Sequence, residues 1–387
     1  MDSIRRFLSL DLPRRQSAFL WGARKSGKST YLRERFPESI TFDLLNTDLF
    51  LEFLKTPSLL RQRLAAVDKK FLRSPVIIDE IQKVPSLLDE VHWLIENKGL
   101  SFILCGSSAR KLRRGHANLL GGRAWRQEMF PLVSAEIKEM DILHVLNHGL
   151  LPTHYLQNDA ACRKSLKAYV QDYLKEEIFA EGLTRNLPAF SRFLDAVAYT
   201  HGELVNFSNI ARDCGVDSKT VKEYHQILSD TLVGTLLEPF RKKQNRQVIG
   251  KAPKFYFFDV GVAGAVTKRW LVEEKGESFG RAFEHLIFME LSAYRVYSGK
   301  EFPIHFWRTK SGLEVDFILG DGEVAVEAKS ASRVDERELQ GMRAVIEEYS
   351  PRKAFIVCNE KSPRTTGGVR FMPWRYFLSA LWNGDVL

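Results

Sequence analysis

The chain has 387 residues, room for two or three domains with a sizeable core, and its 44% hydrophobic and 27% charged content is that of an ordinary globular protein. With 57 Lys and Arg against 48 Asp and Glu, the formal net charge is +9, which points toward polyanionic partners; a solvated basic surface is the plainer reading. Four scattered cysteines without a CxxC pair argue against a disulfide frame or a zinc site. No apolar run nears the roughly 20 residues that span a bilayer, and residues 1–13 lack a signal-peptide core. A soluble, cytoplasmic protein with no membrane partner is expected.

From residue 17 to about 136, short apolar runs (17–21, 39–43, 75–79, 100–106) alternate with polar helical stretches, the signature of a parallel α/β sheet. The first run empties into Gly22, Ala23, Arg24, Lys25, Ser26, Gly27, Lys28 and Ser29, an unbroken G-x-x-x-x-G-K-S, and Thr30 opens a helix. The glycines let successive backbone N–H groups face phosphates, and the helix N-terminus adds a favourable dipole. In this P-loop Lys28 is expected to reach the β- and γ-phosphates of ATP, and the Ser29 hydroxyl to ligate Mg²⁺.

The run 76–78 ends in Asp79 and Glu80. A carboxylate at the carboxyl end of a buried strand suits Mg²⁺, so Asp79 is expected to orient the ion as the Walker B acid and Glu80 to polarise the attacking water. The run ending at Cys105 leads into Gly106, Ser107 and Ser108, and Ser107 is the candidate sensor of the γ-phosphate. A solvated acidic pair and a strand-ending serine turn are the non-chemical readings of the same residues.

From about 160 to 268 the pattern is mainly helical, closing on a strand at 254–259. Residues 206–229 read as a helix-turn-helix. Ser208 caps the first helix, Gly215 makes the turn with Val216 inserted, and Ser218 caps the second. Val221, Tyr224, Ile227 and Leu228 would face inward, and Lys219, Thr220, Lys222 and Glu223 would be exposed at recognition positions. A wing at 238–254, including the basic stretch Arg241 to Lys243, would make this a winged helix contacting DNA; such folds also serve as protein-protein modules.

From 278 onward the expected order is helix (278–297), three strands (303–308, 313–319, 323–329), helix (335–349) and strand (353–358), the core order of the PD-(D/E)xK nuclease-like fold. Glu327 and Lys329, two apart on a strand, share a face, and Asp316 on the neighbouring strand can join them. Asp316 and Glu327 are candidate ligands of Mg²⁺ or Mn²⁺, and Lys329 would position the attacking water. Alternating acids on exposed strands are also commonplace, and such folds serve as binding platforms too. His92, His116, His201 and the other histidines show no metal-ligand spacing.

GARKSGKST, IIDEIQKVPSLLDEVHWLIE, CGSSARKL and GGRAWRQEMFPLVSAEI resemble the AAA-type ATPases of bacteria and archaea whose C-terminal half is catalogued as a domain of unknown function. YFFDVGVAGAV, FEHLIFMEL, FWRTKSGLEVDFIL and VAVEAKS extend the resemblance along nearly the whole chain. Most members have Pro-Arg-Gln where this chain has Ala23, Arg24 and Lys25, a departure outside the phosphate-binding positions. The resemblance implies a homo-oligomeric ring, a hexamer among the candidates, in which a neighbour's arginine reaches the γ-phosphate. Arg123 matches that position best, with Arg126, Arg113 and Arg114 as further candidates. It also places Glu284 at the family's acidic position, where it would complete the nuclease-like set.

The expected protein is therefore an α/β P-loop ATPase domain (1–158), a winged-helix domain (159–272) and a restriction-endonuclease-like α/β domain (273–387). It would be a ring-forming ATPase remodelling or translocating on duplex or branched DNA, coupled to metal-dependent cleavage. The alternative is an ATP-regulated switch that binds a protein partner through a catalytically inactive nuclease-like domain.

Overall fold

A computed structural model describes residues 4–108, 120–173, 186–242 and 252–387. Arg113, Arg114, His116, Lys243 and most of the expected wing lie outside these residues. The chain divides into two compact units.

One unit comprises Leu8–Pro131 with Asp230–Leu232. Its sheet contains β1 (Ser17–Trp21), β2 (Thr41–Asp43), β3 (Val76–Asp79), β4 (Phe102–Gly106) and β5 (Ala124–Glu128), in the order β2-β3-β4-β1-β5 and all parallel. Every residue of β1, β3 and β4 is buried, because helices cover both faces of a parallel sheet and favour unbroken apolar runs. These helices are α1 (Lys28–Arg35), α2 (Thr47–Lys55), α3 (Leu59–Ala65) and α4 (Leu87–Lys98). The run 39–43 shortens to β2. β5 was not read as a strand: its Ala-Trp-Arg-Gln-Glu is polar because it lies at the sheet edge, half-exposed.

The other unit comprises Leu132–Ser229 and Val233–Leu387 with the chain up to Phe7, so the middle and C-terminal stretches cluster together. Its helical part has α5 (Ile142–His148), α6 (Pro152–Tyr155), α7 (Asp159–Ala168), α8 (Leu187–Tyr199), α9 (Phe207–Cys214) and α10 (Ser218–Asp230). The antiparallel pair β6 (Gly234–Leu237) and β7 (Lys254–Phe257) follows, then α11 (Val260–Val266). Gly215 takes the left-handed φ of 69° that the turn between α9 and α10 requires. The caps differ from the reading: Asn206, not Ser208, accepts the N–H of Asn209, and Asp217, not Ser218, accepts that of Thr220. In both places the acceptor lies one residue outside the helix, and at Asn206 the backbone is extended, so the side chain can fold back.

The C-terminal stretch forms α12 (Gly276–Tyr297), β8 (Ile304–Arg308), β9 (Glu314–Leu319), β10 (Val324–Lys329), α13 (Gln340–Tyr349), β11 (Lys353–Cys358), β12 (Arg364–Thr366), β13 (Val369–Pro373) and α14 (Trp374–Trp382). The helix expected from 335 starts as a tight turn, Glu336–Leu339, before α13. The six-stranded mixed sheet runs β12-β13-β11-β10-β9-β8. Phe283, Ile287 and Leu291 of α12 share one core with Val324, Val326 and Phe317, whereas Met342 and Val345 of α13 share another with Ala325 and Ile318. A register shift between His305 and Trp307 breaks the alternation of β9, so Val315 joins the α13 side while Phe317 joins the α12 side. All four cysteines are buried and free. No helix among the described residues is long and apolar enough to cross a membrane.

Candidate functional site

The P-loop leaves the carboxyl end of β1, which lies between β4 and β5. Lys25 and Gly27 take left-handed φ values of 62° and 96°, and α1 begins at Lys28. A side chain at position 22 is barred, because a Cβ there would lie 2.6 Å from the Met129 carbonyl oxygen just beyond β5. Ala23 and Ser26 are buried, while Arg24 is half-buried and Lys25, Ser29 and Thr30 are exposed. The Lys28 ammonium folds over the loop and donates to the carbonyl oxygens of Gly22 (2.6 Å) and Ala23 (3.1 Å).

Asp79 ends β3, two strands from β1, and its Oδ2 accepts the Ser29 hydroxyl at 2.7 Å. Two hard oxygen donors side by side at the mouth of a phosphate loop fit Mg²⁺. Glu80 is buried in a left-handed turn with φ 59°, and burial raises its carboxyl above the ordinary range despite the pull of Lys28. Because β4 lies between β3 and β1, Ser107 opens between the two motifs. The sequence reading missed Gln82: its Nε2 donates to Glu80 Oε2 and, at 3.3 Å, to the Ser107 hydroxyl. It thereby ties Glu80 to the serine. Its signal was a buried amide two residues after Asp-Glu. Arg123 immediately precedes β5 at the amino end of the sheet and pairs with Glu96 of α4. The P-loop is at the other end, about 15 Å along β1. Within one subunit Arg123 therefore does not reach the phosphates.

The second cluster lies wholly in the other unit. Asp316 accepts the Ala328 N–H at 2.8 Å, and Lys329 pairs with Glu327 at 2.8 Å. Burial, and then the Glu284 carboxylate, pushes Asp316 well above the usual carboxylate range; burial also raises Glu327, against the pull of Lys329. Asp316 is thus within electrostatic reach of Glu284, Glu327 and Lys329. Glu327 Oε2 is buried without a hydrogen-bond partner among the described residues. Paired, desolvated carboxylates with a spare oxygen fit a divalent cation.

Three residues were not foreseen here. Lys254 on β7 is buried and pairs with Glu284 (3.2 Å) and Glu314 (2.6 Å), and the Tyr256 hydroxyl donates to Glu284. Burial opposes the Lys254 charge, but Tyr256, Glu284, Asp316 and Glu314 more than offset it and hold the ammonium well above the ordinary lysine value. A charged residue opening an otherwise aromatic strand, Lys-Phe-Tyr-Phe, was the available signal. On α10, Lys219, Lys222 and Glu223 are exposed and Thr220 half-exposed, while Val221, Tyr224, Ile227 and Leu228 are buried as read.

Residues 14–138 match the family described as AAA domain, and residues 140–270 and 279–377 match two domains of unknown function, DUF8612 and DUF4143. Two uncharacterized proteins, one of Mycobacterium bovis and one of Mycobacterium tuberculosis, are each 25% identical over 324 residues, covering 80% of this chain and 68% of theirs. Among solved structures, the Walker-type ATPase PABY2304 of Pyrococcus abyssi is 15% identical, with a TM-score of 0.45 over 64% of this chain and 90% of its own. A signal-transduction ATPase of Pyrococcus horikoshii with a tetratricopeptide repeat sensor reaches a TM-score of 0.18 at 12% identity, over 74% and 48%. Both scores are too low to carry an argument. With the P-loop, the Ser29–Asp79 pair and Glu80 in place, residues 14–138 are similar to an AAA-type ATPase domain.

Proposed function

We propose that the chain is an ATP-driven, ring-forming DNA-processing ATPase whose C-terminal half cuts phosphodiesters with a divalent metal. The observation that supports this reading best is the partnerless, buried Oε2 of Glu327 facing the same cluster as Asp316. Two desolvated carboxylates repel unless a cation joins them. Asp316 and Glu327 would hold Mg²⁺ or Mn²⁺, which polarises a phosphodiester and acidifies a bound water. Lys329 would orient that water, and Glu284 would position the cluster through Lys254. Duplex or branched DNA would be engaged by a winged helix through Lys219, Lys222 and Arg241, all exposed.

A second reading rests on Lys254, whose ammonium already neutralises Glu284 and Glu314. In it the nuclease-like half is an inactive platform for a protein partner, switched by ATP. ATP turnover measured with and without single-stranded, duplex and branched DNA, across a salt series, separates the two. DNA-processing requires stimulation that fades with salt, because phosphate contacts release counterions. Turnover indifferent to every DNA would leave the switch.

A further inference from the structure

His144 and His148 stand one turn apart on α5, so their rings share a face, with centroids 3.9 Å apart. The chain then turns through α6, and Asp159, the first residue of α7, comes against them: His148 Nε2 lies 2.9 Å from Asp159 Oδ1. One ligand atom from each of the three residues falls within 4.8 Å of the others. No sequence signal beyond the His-x-x-x-His spacing marks this group, and the reading of the histidines as lacking metal-ligand spacing overlooked it.

The remaining ring nitrogens face backbone carbonyl oxygens. His144 Nε2 faces the Tyr155 carbonyl oxygen at 2.8 Å, and His148 Nδ1 faces that of His154 at 3.3 Å. A carbonyl only accepts, so these nitrogens donate, and in a neutral imidazole the opposite nitrogen is then a bare lone pair. His148 Nε2 then faces the Asp159 carboxylate oxygen, and a cation between the two rings and that oxygen would use the lone pairs of both.

We propose that His144 Nδ1, His148 Nε2 and Asp159 Oδ1 bind a divalent transition metal, with Zn²⁺ the expected ion. One cation satisfies all three donors. Two imidazoles and a carboxylate are the nitrogen and oxygen donors that Zn²⁺ takes, with water in the fourth position. Ring N–H groups held by backbone carbonyls are the support that metal-binding histidines ordinarily have. The side chain of Asp159 is 71% exposed and gives the ion its way in, whereas His148 is buried beside Trp270, on whose face Arg163 lies at 3.7 Å. The metal would pin α5 to the start of α7.

The test uses the full chain, stripped with chelator and kept in excess Mg²⁺ so that carboxylate-only sites are filled. Zn²⁺ binding is followed by calorimetry and Co²⁺ binding by visible absorption, which is intense only for a low-coordinate site. Wild type should bind one Zn²⁺ with a Kd of about 1 µM or tighter. Asp159→Asn, at an exposed position, should weaken it by at least about tenfold, as should His144→Gln. Far-ultraviolet dichroism confirms that both variants fold. No binding by wild type, or unchanged affinity in both folded variants, overturns the proposal.

Discussion

The Ser29 hydroxyl donates to Asp79 Oδ2 at 2.7 Å although the two residues are 50 positions apart. The sheet order alone brings them together, and in the proposed ATP site the pair would hold Mg²⁺ beside the nucleotide. Lys28, bonded to two loop carbonyls, would exchange these for phosphate oxygens in the proposed ATP complex. Lys28→Ala should lower ATP turnover on the order of 10²–10³-fold, as loss of a transition-state donor does. Glu80→Gln should bind ATP and not hydrolyse it. Since the Glu80 carboxyl is raised by burial and must be ionised to polarise water, turnover should fall on acidification before the ordinary glutamate range is reached. Steady-state phosphate release and nucleotide binding by fluorescence check all three.

Arg123 sits at the opposite end of β1 from its own P-loop, so an Arg123 finger can act only on a neighbour. Arg123→Ala should reduce turnover on the order of 10³–10⁵-fold. Mixing it with Lys28→Ala subunits should restore part of the activity, because some interfaces then join an intact loop to an intact arginine. Inactive mixtures of subunits shown to exchange would rule out the trans role.

The acid cluster offers a sharper contrast. Lys254→Met removes the buried cation shared by Glu284 and Glu314, leaving them only Tyr256 and Arg308, and should cost about 3–5 kcal/mol by chemical denaturation. Mn²⁺ should recover part of that loss and should stabilise wild type less. Asp316→Ala and Lys329→Ala should each abolish DNA cleavage while ATP turnover persists. Cleavage that survives Asp316→Ala would assign the activity elsewhere.

Buried histidines set an acid limit on the second unit. Burial chiefly holds His225 at about 4 and His285 at about 3, and His201 well below its ordinary value. Below the ordinary histidine value of 6.5 the unfolded chain takes up protons that the folded chain refuses. Stability is therefore present above that value and is lost as pH falls toward the folded values, by about 1.4 kcal/mol per pH unit for each histidine. His225 lies among Phe193, Phe207 and Phe255, and its Nε2 is buried without a hydrogen-bond partner among the described residues. His225→Phe should keep stability near neutrality and flatten the acid slope by about one proton, read from urea denaturation at about pH 7 and about pH 5.

Local chemistry was legible in the sequence wherever one short segment holds it. The P-loop glycines, Lys28 and Ser29 follow a buried strand and open a helix, and the unbroken apolar runs of β1, β3 and β4 could only belong to a sheet covered on both faces. Glu327 and Lys329 are likewise two apart on one strand, so strand alternation sets them on one face. Polar edge strands were not legible: β5 and β12 lack the apolar pattern because one side of each meets solvent. Relationships between distant segments belonged to the tertiary structure. Gln82 bridges Glu80 and Ser107 only because β4 inserts between β3 and β1. Lys254 enters the carboxylates only because β7 packs in the same unit as α12 and β9. Asp159 meets His148 only because α6 turns the chain back. Each depends on strand order or chain reversal, which close packing decides and no local spacing encodes.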